Sequence, residues 1–337
     1  MFFWNRKKRF DLKIGLVLSG GGAKGAYQAG VFQALADMDV VPRIAAVSGC
    51  SIGALNAILF AMEDKELWQK VWNEVSYGRF LARDDSVPRR KFTDIWRDIK
   101  EREPSHNLKE FIARNQLAPF SQVGIRSLAE EYANFEKISK FRAPLYVCAY
   151  NMEKLEPEYF KLNGRSKEEI ISLTMASSAI PVVFNPVVFQ GYHYCDGGIA
   201  PPYTDANNAD KVPLKPLLQE KCDVIIVVYL SHYDKVDRKG FPASTQFIEL
   251  YPSRPLELVK GAGTLDLSKD TLMEHMIQGY NDMAAVLGPI IVGLLKNRSL
   301  EELVEEHQQV NHRLLNRQLP ILRAAEEAVA KSKKGVP

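Results

Sequence analysis

An α/β fold built on a mostly parallel central sheet is the class this sequence predicts, and two observations predict it. Short apolar runs alternate with helix-patterned segments from Leu12 to Met62, the pattern of parallel strands covered on both faces. Glycine-framed turns join run to helix twice, at Ser19-Gly20-Gly21-Gly22-Ala23-Lys24-Gly25 and at Gly49-Cys50-Ser51-Ile52-Gly53. In order, 14–18 is a strand, 24–38 a helix, 44–47 a strand and 52–62 a helix. The helix continues the pattern at 65–77, where Leu67, Trp68, Val71, Trp72 and Val75 share one face and belong to the core. From Gly78 to Glu103 arginines and lysines mix with acids around Pro88, so this stretch reads as an insertion or cap.

The α/β pattern then resumes. Residues 144–151 and 158–162 are strands of a hairpin. Residues 166–176 form a helix opened by a Ser166/Glu169 capping box. Short extended pieces follow between Val182 and Cys195. The β-branched run 223–230 is a buried strand, and 246–250 a shorter one. From Thr271 the chain is helical. Ser299 and Glu302 cap a last helix that ends in Lys331, Lys333 and Lys334, where cations suit a helix C-terminus. No internal repeat or long linker interrupts the chain.

The bulk numbers narrow the function. The chain has 337 residues, 46% hydrophobic and 25% charged, with a net charge of +3. That composition supports a sizeable core, and the weak charge gives no case for a nucleic-acid partner. Cys50, Cys148, Cys195 and Cys222 lack metal or disulfide spacing and lie beside apolar runs, as reduced cysteines of a cytoplasmic protein do. No secretory signal is expected, because Met1 to Phe10 lacks an apolar h-region. The apolar stretch from Met283 to Leu295 contains Gly288, Pro289 and Gly293. It falls short of the roughly 18 residues a membrane span needs, so a buried or docked helix is expected. Phe2, Phe3 and Trp4 beside Arg6, Lys7, Lys8 and Arg9 suit a lipid–water boundary, which points to peripheral membrane association.

The two turns carry the chemistry. Gly20-x-Gly22-x-x-Gly25 follows a strand and opens a helix, so it matches the dinucleotide fingerprint literally. That chemistry expects an acid at the end of the second strand, and Val47-Ser48-Gly49 offers none. A P-loop is excluded by the missing Gly-Lys pair. An oxyanion hole fits better, since bare N–H groups at a helix N-terminus favour negative charge. Gly49-x-Ser51-x-Gly53 has the form of a nucleophile elbow, which lifts a serine oxygen onto a strand-to-helix turn. Ala54, Asn56 and Ala57 are short enough to pack behind it.

The base is open on these residues alone. A hydrolase triad would use His232, after the strand 223–230, or His193; His275, His307 and His312 lie among polar neighbours and are expected at the surface. The other candidate is Asp196, since Gly197 and Gly198 let the backbone turn sharply and approach another loop. A partly desolvated carboxylate within reach of a serine can take its proton.

Taken together, GGGAKG, G-C-S-I-G and D-G-G resemble the three signatures of patatin-like phospholipases. Ala176-Ser177-Ser178-Ala179-Ile180-Pro181, with Phe184 and Pro186, resembles the block that family carries before its third signature. The resemblance covers roughly Leu12 to Leu256. It implies a three-layer α/β/α fold and a phospholipase A or lysophospholipase type of acyl hydrolase that needs no metal and no cofactor. It implies Ser51 as nucleophile and Asp196 as proton acceptor, without histidine. Gly20, Gly21 and Gly22 match the oxyanion hole and Lys24 its usual basic position; Gly25, Gly49, Ile52, Gly53, Gly197 and Gly198 are supporting motif positions. Ser19 stands where plant members carry aspartate, as in bacterial relatives. The implied substrate is a phospholipid or lysophospholipid. The expected organisation is a flexible tail at 1–11, a catalytic domain at 12–256 and a helical extension packed on it at 257–337. The alternatives are a Ser-His-Asp esterase and a nucleotide-binding enzyme using the glycine loop.

Overall fold

The computed structural model describes residues 12–80, 118, 120–202, 204, 206–258 and 262–334. The expectations for the tail at 1–11 and for nearly all of the basic stretch after Gly78 lie outside the described residues. The strands are β1 (Ile14–Leu18), β2 (Ile44–Cys50), β3 (Leu145–Asn151), β4 (Glu156–Lys161), β5 (Val187–Phe189), β6 (Tyr192–Asp196), β7 (Val224–Val228) and β8 (Gln246–Leu250). The helices are α1 (Ala26–Asp37), α2 (Ile52–Phe60), α3 (Lys65–Glu74), α4 (Tyr77–Phe80), α5 (Val123–Tyr132), α6 (Phe135–Ser139), α7 (Lys167–Ser177), α8 (Lys269–Leu295) and α9 (Leu300–Lys334).

One sheet runs in the order β5-β6-β3-β2-β1-β7-β8, and β4 also pairs with β3. β3, β2, β1, β7 and β8 are parallel neighbours, while β4, β5 and β6 form an antiparallel end. This is the mostly parallel sheet the sequence predicts. β1 shows why its run is unbroken: Leu16 and Leu18 enter one core and Val17 the other, all fully buried. The larger core lies beneath α1, α2, α3 and α7. The smaller one is closed by Val212, Leu214 and Leu217, with Leu314 and Leu315 of α9 packed against it.

The element bounds differ from expectation where small or polar residues disguise structure. β2 runs on to Cys50 because Ser48, Gly49 and Cys50 still pair with β3. α1 begins at Ala26, since Gly22–Gly25 is a tight 3-10 turn. α3 stops at Glu74 where Val75 turns extended, and both of its tryptophans are core. The hairpin of β3 and β4 is present, and so is the Ser166/Glu169 capping box.

α8 shares the larger core through Leu272, Met276, Met283, Leu287 and Ile290, as α9 does through Leu303 and Val304. It crosses α1 with the two backbones touching. A Cβ on Gly30 would lie 1.9 Å from the Met276 carbonyl oxygen, and one on Gly279 1.9 Å from that of Tyr27. His275 and His307 are buried, contrary to the surface expectation, while His312 is exposed. Their acidic neighbours Glu274 and Glu306 take the exposed sides of the helices. Burial pulls both imidazoles below their ordinary pKa. Among the described residues no helix is long and apolar enough to cross a membrane.

Candidate active site

Strand register brings the two halves of the site together. β4 occupies one edge of β3 along residues 146–151, so β2 and β6 must share the other edge. β2 ends there with Cys50 opposite Cys148, and β6 ends with Asp196 opposite Ala149, the next residue of β3. The chain leaving β2 therefore delivers Ser51 beside Asp196.

Ser51 opens α2 with φ 57° and ψ −124°. A non-glycine residue in such a conformation costs about 1–3 kcal/mol and persists only where its surroundings hold it. Here they do. The Ser51 N–H donates to Ser177 Oγ at 3.0 Å, and the Ser177 hydroxyl donates to the Cys148 carbonyl at 2.6 Å. The flanking glycines allow close approach. A Cβ on Gly49 would lie 2.2 Å from the Gly53 carbonyl oxygen, and one on Gly53 2.2 Å from that of Leu18.

Asp196 is 1% exposed. Its Oδ1 accepts the Gly198 N–H at 2.9 Å and faces the Cys50 thiol at 3.9 Å. Its Oδ2 is buried and accepts no hydrogen bond of normal geometry among the described residues. Burial pushes the carboxyl pKa up to about 6; the neighbouring Ser51 hydroxyl, the Gly198 N–H and the Lys211 charge oppose that rise. Near neutral pH the group is thus mostly ionised, with one oxygen available to a proton. Gly197 is needed for the approach to β3, because a Cβ there would lie 2.5 Å from the Cys148 carbonyl oxygen.

The glycine loop lies across Ser51. A Cβ on Gly20 would sit 3.1 Å from Ser51 Cβ. The Gly20 N–H itself donates to the Lys211 carbonyl at 2.9 Å. Gly20 therefore departs from the expected donor set, because Lys211 already takes its N–H. The Gly21 and Gly22 N–H groups have no partner among the described residues. Gly22 has φ 60°, and a Cβ there would lie 2.1 Å from the Thr264 carbonyl oxygen. Gly25 packs against Ile52. Lys24 is 2% exposed and pairs with Glu257 at 2.5 Å. Burial lowers its pKa and Glu257 works against that.

The histidine candidates are engaged elsewhere. His232 is buried, with Nε2 2.8 Å from the Pro252 carbonyl oxygen and its ring against Tyr251. His193 pairs with Glu153 at 2.7 Å. Neither is hydrogen-bonded to Ser51. Two residues outside the sequence-based site belong to it structurally. Ser177 was visible only as part of a family-like block, and Lys211 stands in a stretch with no pattern at all. Among the described residues no group of three or more His, Cys, Asp or Glu side chains could hold a metal ion.

A serine on a strand-to-helix turn, faced by a buried carboxylate and a glycine loop, defines a class of α/β hydrolytic sites. The patatin-like phospholipase family model matches residues 16–207, and the chain belongs to that family. Triacylglycerol lipase 4 of Saccharomyces cerevisiae is 31% identical over 102 residues, 30% of this chain and 10% of that protein. The chain thus matches only a tenth of that relative's length. VipD from Legionella pneumophila is similar in structure over 88% of this chain and 67% of that chain, at 17% identity and a TM-score of 0.47. Human GIVD cytosolic phospholipase A2, in complex with methyl gamma-linolenyl fluorophosphonate, is similar over 88% and 59%, at 10% identity and a TM-score of 0.45.

Proposed function

We propose that this chain is a lipid acyl hydrolase in which Ser51 is the nucleophile and Asp196 its proton acceptor. One observation carries the reading: a buried carboxylate oxygen, with no hydrogen bond of normal geometry among the described residues, beside a serine held at positive φ. Membership of the patatin-like phospholipase family supports it. Asp196 takes the hydroxyl proton as Ser51 Oγ attacks the ester carbonyl. The bond to the alcohol then breaks, and the alcohol leaves with the proton from Asp196. Water activated by the same carboxylate releases the fatty acid from Ser51. The Gly21 and Gly22 N–H groups face the oxyanion, and one such donor is worth about 3 kcal/mol. The scheme uses no metal ion and no cofactor. The substrate is a phospholipid or lysophospholipid, met at a membrane surface from the cytoplasm. The working unit extends past residue 256, since Glu257 and Thr264 buttress the glycine loop.

A lipid panel with products identified by mass, run beside a fluorophosphonate probe, tests this reading. Wild type is expected to take the label and release fatty acid, and Ser51→Ala to do neither. An unlabelled, inactive wild type overturns the reading. An active Asp196→Asn with an inactive His232→Ala replaces the dyad by a triad.

A further inference from the structure

One residue that belongs to none of the three glycine motifs joins them. Lys211 lies between β6 and β7, outside any strand or helix. Its carbonyl accepts the Gly20 N–H at 2.9 Å. A Cβ on Gly20 would sit 3.4 Å from Lys211 Cγ and 3.1 Å from Ser51 Cβ. Gly198 packs on the same lysine, since a Cβ there would lie 3.1 Å from its Cα, Cβ and Cγ. The Gly198 N–H in turn donates to Asp196 Oδ1 at 2.9 Å. The residue before Lys211 repeats the tie: the Asp210 N–H donates to the Gly197 carbonyl at 2.8 Å. Contacts therefore run from Ser51 through Gly20, Lys211 and Gly198 to Asp196. The side chain is held as well, because Lys211 Nζ pairs with the largely buried Asp234 at 2.8 Å.

We propose that Lys211, set between the glycine loop and the Asp196 turn and anchored by Asp234, is a positioning residue whose ammonium group favours the charged form of the carboxylate that takes the Ser51 proton. The proposal rests on the acyl-hydrolase reading above. The other titratable groups around the carboxylate are engaged or uncharged. Burial raises the thiols of Cys50, Cys148 and Cys195, so they stay protonated near neutral pH. Asp210 accepts the Tyr159 hydroxyl at 2.5 Å, and the Lys215 charge acts on it. Lys24 is paired with Glu257. The Lys211 charge reaches Asp196 and works against the burial that would neutralise it.

The rate of labelling by an alkyl fluorophosphonate, followed against pH on the full chain, tests this. Three variants separate charge from packing. Lys211→Met keeps the stem and removes the charge, and Lys211→Arg keeps the charge. Asp234→Asn still accepts a hydrogen bond from the ammonium but no longer offsets its charge. The wild-type rate is expected to rise through about 6. Lys211→Met is expected to move that midpoint up by about half a pH unit or more, a loss of about threefold in rate below it, because a nearby cation favours an ionised carboxyl. Lys211→Arg should return the midpoint to that of wild type, and Asp234→Asn should move it down. A residue that acts through packing alone would change the rate without moving the midpoint. An unmoved midpoint in Lys211→Met overturns the proposal, while labelling of wild type leaves the hydrolase reading standing. Should Lys211→Met fail to fold, Asp234→Asn decides: a lower midpoint supports the proposal, and an unmoved or higher one overturns it. If wild type takes no label, the hydrolase reading itself fails and this proposal fails with it.

Discussion

At the turn around Ser51 a serine carries the unusual backbone angle; at the glycine loop Gly22 carries it. The serine turn is held by Ser177 at the end of α7 and by Cys148 and Leu18 of the sheet, all within the family-matched residues 16–207. The glycine loop is held from further along the chain, by Lys211, Glu257 and Thr264. Lys24 and Glu257 are 233 residues apart. Ser51 is thus held from within the family-matched residues. The glycine loop depends instead on residues beyond that match.

The sharpest way to break the comparison is at the serine turn. Ser51→Ala and Asp196→Asn are each expected to lower ester hydrolysis about a thousandfold or more, and the double variant to lose no more than either alone, since residues acting as a unit are not additive. Lipid hydrolysis rates check this. Next, Lys24→Ala removes the cation paired with Glu257, which keeps the Gly263 N–H, and stability is expected to fall by about 1.5–3 kcal/mol in urea unfolding. Adding Glu257→Ala should restore part of the loss. Gly22→Ala forces a Cβ against Thr264 and strains a positive φ. Turnover is expected to drop about a hundredfold or more as the oxyanion donors shift, with kcat falling more than KM changes.

The pH dependence tests Asp196 as the proposed base. Asp196 accepts a proton only when ionised, so kcat/KM is expected to rise with pH through about 6 and level off above it. The same shift acts on stability in the opposite direction. A carboxyl raised from 3.8 to about 6 in the folded protein favours folding below 3.8, and that contribution is lost as pH rises through 6. The loss is on the order of 3 kcal/mol at 1.36 kcal/mol per unit. Asp196→Asn should therefore melt higher than wild type at pH 8, and the gap should close toward pH 4. The smallest effect belongs to His232→Ala, which should keep activity within about twofold and lose about 1 kcal/mol with the hydrogen bond to Pro252.

β1 was legible to the residue, because a run buried on both faces must be apolar, and β8 was legible too although Gln246 and Glu249 interrupt its apolar residues. The end of β2 was not, since Ser48, Gly49 and Cys50 carry no strand pattern and gain their place from β1 and β3. Ser51 and Asp196 stood out because their turns require nearby glycines, which sequence displays. Ser177 and Lys211 act through one hydroxyl and one carbonyl across long separations, and no local spacing announces such contacts. His275 and His307 misled for a related reason: α8 and α9 present their acids outward while the docking of each helix decides which side is covered.

β3 serves as a ruler for the whole site. Cys50 and Asp196 are read off consecutive residues of one strand edge. A slip of either strand by one residue would move its end by about 3.3 Å and turn its side chains to the opposite face. The serine and carboxylate would then be out of reach of each other, and no weakened intermediate arrangement would remain. Recovered turnover after refolding should therefore count correctly registered molecules, giving an assay of sheet assembly that spectroscopy of helix content cannot supply.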